Sequence, residues 1–316
     1  MRLAFCGTPQ FAVPTLEALV AAGHEVGLVI SQPDKPVGRS GEVNATPVKR
    51  SAMAHGIPVL QPEKLKTNEM FQQQLTAFAP DAIIVVAYGR ILPQWMLDLP
   101  RFGCLNGHAS LLPRWRGAAP IQWAIASGDA ETGVTTMRLN AGLDTGPMLM
   151  KRSVPIAQHT SAPELFVVLA ALGAKLMVET LQGLEAGSIY PQEQDSTQAT
   201  LAPILTRDDA RIDFQRTAQQ IDCRFRGFQP WPGAFTSLRG KKLIVHAMTY
   251  DPLTAGSGQP GSLDLQGGNL RVTCGGGSTL ILDEVQLEGK KRMPANEFLR
   301  GFQLSKGEVL GEANPS

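Results

Sequence analysis

The chain has 316 residues, of which 43% are apolar and 18% charged, and its net charge is +1. This length is enough for two domains with their own cores, and no stretch approaches the roughly 20 apolar residues that span a bilayer. The small net charge gives no sign of a strongly basic nucleic-acid-binding domain, and the apolar start meets a glycine at position 7 too soon for a signal peptide, so we expect a cytoplasmic location.

Strands and helices alternate along the first half of the sequence. In chain order we predict a strand over 3–6, a helix over 11–22, a strand over 25–30, a helix over 48–55 and strands over 58–60, 81–87 and 104–106. The run 81–87 is continuously apolar, as is typical of a parallel strand covered on both faces. The alternation predicts an α/β, Rossmann-like, mostly parallel sheet, with Asn106 at a strand end, where such sheets bind ligands.

The second half differs in composition. A long helix is predicted over 163–184, and a Gly-, Ser-, Thr- and Gln-rich stretch follows it. Beyond that stretch we predict a short helix over 218–225 and short strands over 234–238, 242–248, 261–265, 270–274 and 279–286. Short strands separated by glycines suit a small β-barrel. We therefore predict an N-terminal domain over 1–189, a linker over 190–206 and a C-terminal domain over 207–316.

The four cysteines, Cys6, Cys104, Cys223 and Cys274, lie far apart in the sequence. They form neither a CxxC pair nor a Cys/His spacing suited to zinc. We interpret them as reduced, buried thiols, and we expect no metal cofactor.

An amide, an imidazole and a carboxylate make the strongest chemical pattern. Asn106 and His108 are two positions apart, so an extended backbone places both side chains on one side, and Asp144 follows in a glycine-flanked loop. An amide can hydrogen-bond an oxyanion, an imidazole titrates near neutral pH and a carboxylate can orient it, as an acyl-transfer site requires. Each residue also has a structural alternative, namely a turn-forming asparagine, a packed histidine and a loop-capping aspartate.

The residues around this pattern carry a resemblance to a known family. The series Asn106-x-His108-x-Ser110-Leu111-Leu112-Pro113-x-x-Arg116-Gly117, with Asp144 beyond it, resembles the signature of folate-dependent formyltransferases. The runs 5–9, 32–39 and 113–122 and the pair 231–232 are similar to family members that act on methionyl-tRNA. The match spans nearly the whole chain.

This resemblance implies a reaction, a fold for the C-terminal domain and a set of roles. The formyl group of 10-formyltetrahydrofolate would move to the α-amine of methionyl initiator tRNA, and the C-terminal domain would be an OB-like barrel. Asn106 would bind the formyl oxygen, His108 would move protons or stabilise charge, and Asp144 would orient His108. Leu111 and Leu112 suit an ordinary core equally well, but the resemblance implies that folate contacts Val86, Ile91, Leu92, Ser110, Leu111, Leu112, Pro113 and Gly142.

The resemblance also implies contacts with tRNA. The long polar loop 32–46 would reach the acceptor stem with Lys35 and Arg39. Four basic residues of the C-terminal domain would add to this contact: Arg224, Arg226, Lys290 and Lys291. The alternative is that they belong to a solvated surface without a partner. Two departures from the family stand out, because residues 40–44 lack its basic side chains and Gly107 replaces an aliphatic residue, which weakens strand packing.

Other functions remain open at this point. The same three residues could formylate a nucleotide sugar or glycinamide ribonucleotide, or could hydrolyse formyl-folate with water in place of an amine. A protein that binds tRNA or folate without catalysis is the alternative from another class. We expect the chain to be a monomer.

Overall fold

The computed structural model describes residues 1–37, 42–265, 268–305 and 308–311. The chain divides into two compact units. The first comprises Met1–Ile121, Glu131–Pro155 and Glu164–Pro203, and the second comprises Gln122–Ala130, Ile156–Pro163 and Ile204–Ser316. None of the helices in the described ranges is long and apolar enough to cross a membrane.

Strands and helices alternate through most of the N-terminal half. The elements are β1 (Arg2–Gly7), α1 (Val13–Ala21), β2 (Glu25–Ile30), β3 (Lys35–Val37), β4 (Glu42–Asn44), α2 (Pro47–Ala54), β5 (Val59–Leu60), α3 (Glu69–Phe78), β6 (Ala82–Val86), α4 (Gln94–Asp98), β7 (Cys104–His108), β8 (Arg116–Gly117), α5 (Pro120–Ala126), β9 (Glu131–Arg138), β10 (Met148–Pro155), α6 (Ala162–Glu185) and β11 (Leu201–Ala202).

One seven-stranded sheet organises the first unit, in the order β10-β9-β7-β6-β1-β2-β5. The five strands from β7 to β5 run parallel, whereas β9 is antiparallel to both β7 and β10. The predicted mostly parallel α/β sheet is therefore confirmed, although β9 and β10 were absent from the sequence prediction. Residues 139–147 join β9 to β10, a connection shorter than the crossover that a parallel pair needs, so these two strands pair antiparallel.

Alternate residues of β1 face two separate cores on the two sides of this sheet. Leu3 and Phe5 pack with residues of α1 and α6, and Ala4 and Cys6 pack with residues of α3 and α4. All four side chains are fully buried. A strand with helices on both faces has no polar face, which is why β1 and β6 read as continuous apolar runs.

The segment predicted as a linker, 190–206, makes ordered contacts within the first unit. Gln192 forms an isolated bridge with Met148, and β11 pairs in parallel with β8. The segment also places the side chain of Gln194 against the loop that precedes β10.

An antiparallel sheet forms the centre of the second unit. Its elements are α7 (Ala218–Gly227), β12 (Phe235–Leu238), β13 (Lys241–Asp251), β14 (Leu263–Asp264), β15 (Leu270–Thr273), β16 (Thr279–Leu287), β17 (Met293–Pro294) and α8 (Ala295–Gly301). The strand order is β12-β13-β16-β15-β14, with β17 paired to β16. Register shifts on both sides of Ala247 mark bulges in the long strand β13, and bulges of this kind bend and twist a strand. The predicted small barrel-like domain is confirmed.

Candidate active site

Strand β7 carries both Asn106 and His108 near the middle of the sheet, between β6 and β9. Because strand side chains alternate, these two residues point to one side and Gly107 points to the other. A methyl group at Gly107 would lie 3.6 Å from Val86 Cγ2 and 3.7 Å from Met177 Cε, which are ordinary contact distances. The glycine therefore leaves space on the core side of the strand.

The imidazole of His108 is buried and has a neighbour at each nitrogen. Its Nε2 lies 2.8 Å from the carbonyl oxygen of Trp115. Since a carbonyl can only accept a hydrogen bond, Nε2 carries a proton and donates it. Its Nδ1 lies 3.6 Å from Asp144 Oδ2, just beyond hydrogen-bond distance. The structure thus brings together the imidazole and the carboxylate that the sequence paired.

Asp144 is held in the loop between β9 and β10 in a left-handed backbone conformation, with φ of 51°. Its Oδ2 accepts a 2.8 Å hydrogen bond from the backbone N–H of Gly117. The same loop is braced by Asn140, whose Oδ1 accepts from Gly142 N–H at 3.0 Å and from Thr145 Oγ1 at 2.9 Å. These bonds aim the carboxylate at His108.

Asn106 is half-buried on the internal strand β7. Its backbone pairs with β6 and β9, but its side-chain amide makes no hydrogen bond to any residue that the structure describes. Buried and half-buried amides normally have partners. A carboxamide without one, on the same side of the strand as His108, is available for an external acceptor.

The turn after β7 is fixed from inside the protein. Ser110 Oγ donates to Arg114 O at 2.6 Å, and Thr135 Oγ1 both donates to Ser110 O and accepts from Leu112 N–H, at 2.7 and 3.1 Å. Ser110 and Leu112 are fully buried, and Leu111 and Pro113 are half-buried. In this protein Ser110 and Leu112 therefore help to build the turn.

The other predicted folate residues differ in exposure. Val86 ends β6 and is buried, and Leu92 is buried in the loop that follows. Ile91 is 89% exposed although it is a large apolar side chain, and Gly142 is exposed in the Asp144 loop. Exposed apolar and backbone groups of this kind are what a flat, partly apolar ligand needs.

Polar bonds anchor the base of the β3–β4 hairpin. Asp34 Oδ2 accepts from Lys49 Nζ at 2.5 Å, and Asp34 Oδ1 accepts from Gln61 Nε2 at 2.7 Å. Hydrogen bonds from Lys49 and Gln61 hold the pKa of the Asp34 carboxyl below its usual value. Lys35 is exposed on this hairpin, and Arg39 lies outside the described residues.

The predicted basic residues of the second unit fall into two groups. Lys290 and Lys291 are exposed. Arg224 lies over the rings of Trp123 and Phe228 at 5.7 and 4.7 Å from the centroids. Arg226 donates to Asp222 Oδ2 and to a backbone carbonyl at 2.8 and 2.7 Å. The two arginines are thus engaged inside the unit, whereas the two lysines are directed to solvent.

All four cysteines are free and buried. Burial raises the pKa of Cys104 and of Cys274 to about 12, and it raises the pKa of Cys6 well above its usual value. In the described ranges no three His, Cys, Asp or Glu side chains gather as a metal site would need.

Four residues of the site were given no role from the sequence. The Trp115 carbonyl bonds to His108, and the Gly117 N–H bonds to Asp144. Gly117 belongs to the sequence motif that carries the family resemblance. Arg116 lies between them, and its guanidinium bonds Gln194. Gln194 has no recognisable signal, because its neighbours have the composition of a loop.

Comparisons with known proteins identify the family of this chain. A family model described as "Formyl transferase" matches residues 1–181, and one described as "Formyl transferase, C-terminal domain" matches residues 204–303. A methionyl-tRNA formyltransferase of Acidobacterium capsulatum is 60% identical over 98% of this chain and 100% of its own length. One of Koribacter versatilis is 55% identical over 98% of this chain and 99% of its own.

Among solved structures, an N-formyltransferase from Helicobacter canadensis in complex with folinic acid and dTDP-3-aminofucose has a TM-score of 0.65 and 18% identity. The match covers 89% of this chain and 98% of that one. This likeness supports the fold of the chain.

Proposed function

The chain belongs to the formyl transferase family, among the methionyl-tRNA formyltransferases, and we propose that Asn106, His108 and Asp144 carry out its reaction. The enzyme transfers the formyl group of 10-formyltetrahydrofolate to the α-amino group of methionyl-tRNA, which gives the formylated initiator tRNA of translation. The folate co-substrate supplies the formyl carbon that the amine attacks.

One observation carries the assignment of the three residues. The Asn106 amide has no partner among the described residues, and it shares a side of β7 with an imidazole that Trp115 and Asp144 hold from opposite nitrogens. A core asparagine would be bonded internally, and a merely packed histidine would not need a carboxylate held against it by Gly117. This arrangement favours catalysis over the structural alternatives.

Each residue then has a distinct task. Asn106 donates a hydrogen bond to the formyl oxygen, where negative charge develops; one such donor typically contributes about 10²–10³ in rate. His108 Nε2 is occupied by the Trp115 carbonyl, so the proton moves through Nδ1. Asp144, 3.6 Å from that atom, orients the ring and accepts or relays the proton of the attacking amine.

The residues around the three-residue site fit the folate co-substrate. Ile91 and Gly142 are exposed and offer an apolar side chain and an accessible backbone, and Val86 and Leu92 are buried apolar residues of the same unit. Leu111 and Pro113 lie half-buried beside the turn that follows β7. Ser110 and Leu112 support that turn from within.

We also propose how the rest of the chain serves this reaction. Residues 1–189 carry the chemistry, and residues 207–316 help to hold the tRNA through Lys290 and Lys291, with Arg224 and Arg226 shaping that surface. Lys35 and Arg39 of the loop 32–46 contact the acceptor stem. The enzyme acts in the cytoplasm as a monomer.

The test is a formylation assay with 10-formyltetrahydrofolate and charged initiator tRNA. His108→Ala should lower kcat by about 10²–10⁴-fold, the usual value of acid–base help, and should leave folate binding intact. His159→Ala, at an exposed histidine, is the control and should keep full activity. Turnover of His108→Ala at the native rate would refute the assigned roles. Transfer to a sugar amine, or release of formate without tRNA, would identify a different acceptor.

A further inference from the structure

We infer that Gln194 is a positioning residue for Asp144, through a chain of hydrogen bonds that begins at the buried Arg116. This inference rests on the proposed function of Asp144. Gln194 lies in the segment whose composition predicts a linker, and among the described residues it forms no hydrogen bond with His108 or Asn106. Its side chain bonds to the backbone of the loop that carries Asp144 and to Arg116.

The side-chain amide of Gln194 joins the Asp144 loop to the guanidinium of Arg116. Its Nε2 donates to the carbonyl oxygens of Asp144 and Gly146, at 2.8 and 2.7 Å. Its Oε1 accepts from Arg116 Nε and Nη2, at 3.0 and 2.9 Å. Because carbonyls only accept and a guanidinium only donates, the partners leave a single orientation for this amide. All the hydrogen-bonding capacity of its NH₂ group goes to the Asp144 loop.

Arg116 makes this orientation rigid. Its side chain is buried, with 7% of the residue exposed, and within the described ranges it forms no ion pair with a carboxylate. Two nitrogens of its guanidinium converge on the single oxygen of Gln194. Without Gln194 this buried guanidinium would keep the 3.4 Å bond from Nη2 to Ser196 Oγ and would lose its two shorter bonds, so breaking them costs free energy.

The same segment also holds the other side of His108. Thr200 accepts the N–H of Trp115 on its Oγ1 at 2.9 Å and the N–H of Arg116 on its backbone oxygen at 2.9 Å. Trp115 in turn presents its carbonyl to His108 Nε2. Residues 194–200 therefore fix both partners of the imidazole, the Trp115 carbonyl and the Asp144 carboxylate.

The backbone at Asp144 needs such support. Its φ of 51° is a left-handed conformation that costs free energy for a residue with a side chain. Two hydrogen bonds to the carbonyls at 144 and 146 hold the loop in this conformation, and with it the direction of the carboxylate. A displacement of about 1 Å at a catalytic group can cost roughly 10²-fold in rate.

The decisive experiment is a double-mutant cycle between Gln194 and Asp144, with kcat and KM measured in the formylation assay. Gln194→Met removes both donated bonds at nearly constant volume and should lower kcat about tenfold or more, with both KM values within about threefold. In an Asp144→Ala background the same change should lower kcat less than about twofold, because the group it positions is gone. Equal losses in the two backgrounds would overturn the inference.

Two further variants separate positioning from stability. Asn68→Ala removes the N-cap of α3, where Asn68 accepts from Phe71 N–H, and should lower the melting temperature while leaving kcat unchanged. Gln194→Glu keeps an acceptor for Arg116 but has no donor for the two carbonyls. It should melt closer to the native protein than Gln194→Met does, and its kcat should stay low. Recovery of kcat together with the melting temperature would show a purely structural role.

The outcomes also separate this inference from the proposed function. If Asp144→Ala kept the native kcat, the role of Asp144 would fail, and the role of Gln194 with it. If Asp144→Ala lost turnover while Gln194→Met and Gln194→Glu kept it, only the inference about Gln194 would fail.

Discussion

At the scale of single residues, two glycines near the site have opposite requirements. Gly107 has room for a side chain, because the nearest atoms to an added Cβ are side-chain carbons at 3.6 and 3.7 Å. Gly117 has none, because an added Cβ would lie 2.7 Å from the carbonyl oxygen of Ala202 at a φ of +122°. The same substitution should therefore have different effects at the two positions.

We predict that Gly107→Ala raises the free energy of unfolding by about 0.4–1 kcal/mol, because alanine restricts the unfolded chain and fits the folded strand. Urea denaturation followed by circular dichroism would measure it. Gly117→Ala should instead destabilise the protein and reduce turnover, since the N–H that binds Asp144 would move. A destabilised Gly107→Ala would mean that the space beside Val86 is smaller than the structure shows.

Cys104 gives a prediction about alkaline pH. Burial raises its pKa from 9.0 to about 12, so the thiol ionises in the unfolded chain before it does in the folded one. Its contribution to stability is complete below about pH 9 and is lost as pH rises toward about 12.

We expect this one thiol to reduce the free energy of unfolding by about 1 kcal/mol between about pH 8 and pH 10. Urea titrations of the native protein and of Cys104→Ala at both pH values would isolate the effect, because the other titrating groups are common to both. Identical pH slopes in the two proteins would contradict the prediction.

At the scale of secondary-structure elements, helix α7 begins with a capping box. Thr217 accepts from Gln220 N–H through its side chain, and the Gln220 side chain accepts from Thr217 N–H. These bonds satisfy two backbone donors at the start of the helix for which the helix has no backbone carbonyl. A ten-residue helix is marginal without such bonds and tertiary packing.

Thr217→Ala should therefore destabilise the second unit by about 1 kcal/mol, the typical cost of losing an N-cap. Thr217→Ser keeps the hydroxyl and should remain within a few tenths of a kcal/mol of the native value. Amide hydrogen exchange of α7 would report the difference directly. Equal exchange rates in the two variants would show that the cap contributes little here.

The elements that the sequence predicts well are those with a clear burial pattern. The run 81–87 corresponds to β6, and 25–30 coincides with β2, because both are almost wholly apolar. Strand β9 was not predicted, since its buried side chains include Thr132, Thr135 and Thr136. Thr135 and Thr136 form hydrogen bonds with Ser110 and Thr180, which are distant in sequence. Composition alone therefore does not reveal this internal strand.

The sequence likewise predicts some features of the candidate site and not others. The two-residue spacing of Asn106 and His108 predicts their common side from strand geometry alone. The approach of Asp144 depends on a loop conformation with positive φ, and the sequence indicates it only through the family resemblance. Gln194 acts through its side-chain amide on backbone carbonyls, an interaction for which a single sequence contains no pattern.

At the scale of the whole molecule, a net charge of +1 leaves tRNA binding to local surfaces. Lys290 and Lys291 are exposed next to the turn after β16. Arg224 and Arg226 bond within their own unit, so their loss should affect stability as well as binding. The two lysines are therefore the better probes of phosphate contact.

We predict that Lys290→Ala and Lys291→Ala each weaken tRNA binding and lower the salt slope of the affinity by about 0.7–0.9, the value of one phosphate contact. Filter binding across a range of salt concentrations would measure the slope. Lys175→Ala removes the same charge from an exposed position on α6 and should leave the slope unchanged. An unchanged slope in both lysine variants would place the RNA elsewhere.

Strand β11 sets a limit on how the protein can be divided. Its pairing with β8, and the bonds of Gln194 upstream of it, belong to the fold of the first unit. An N-terminal fragment that stopped at 189, where the composition changes, would lack both the brace of the Asp144 loop and the partner of β8. A fragment that keeps both contacts must therefore extend at least through Ala202, and an engineered protease site that spares them belongs after that residue.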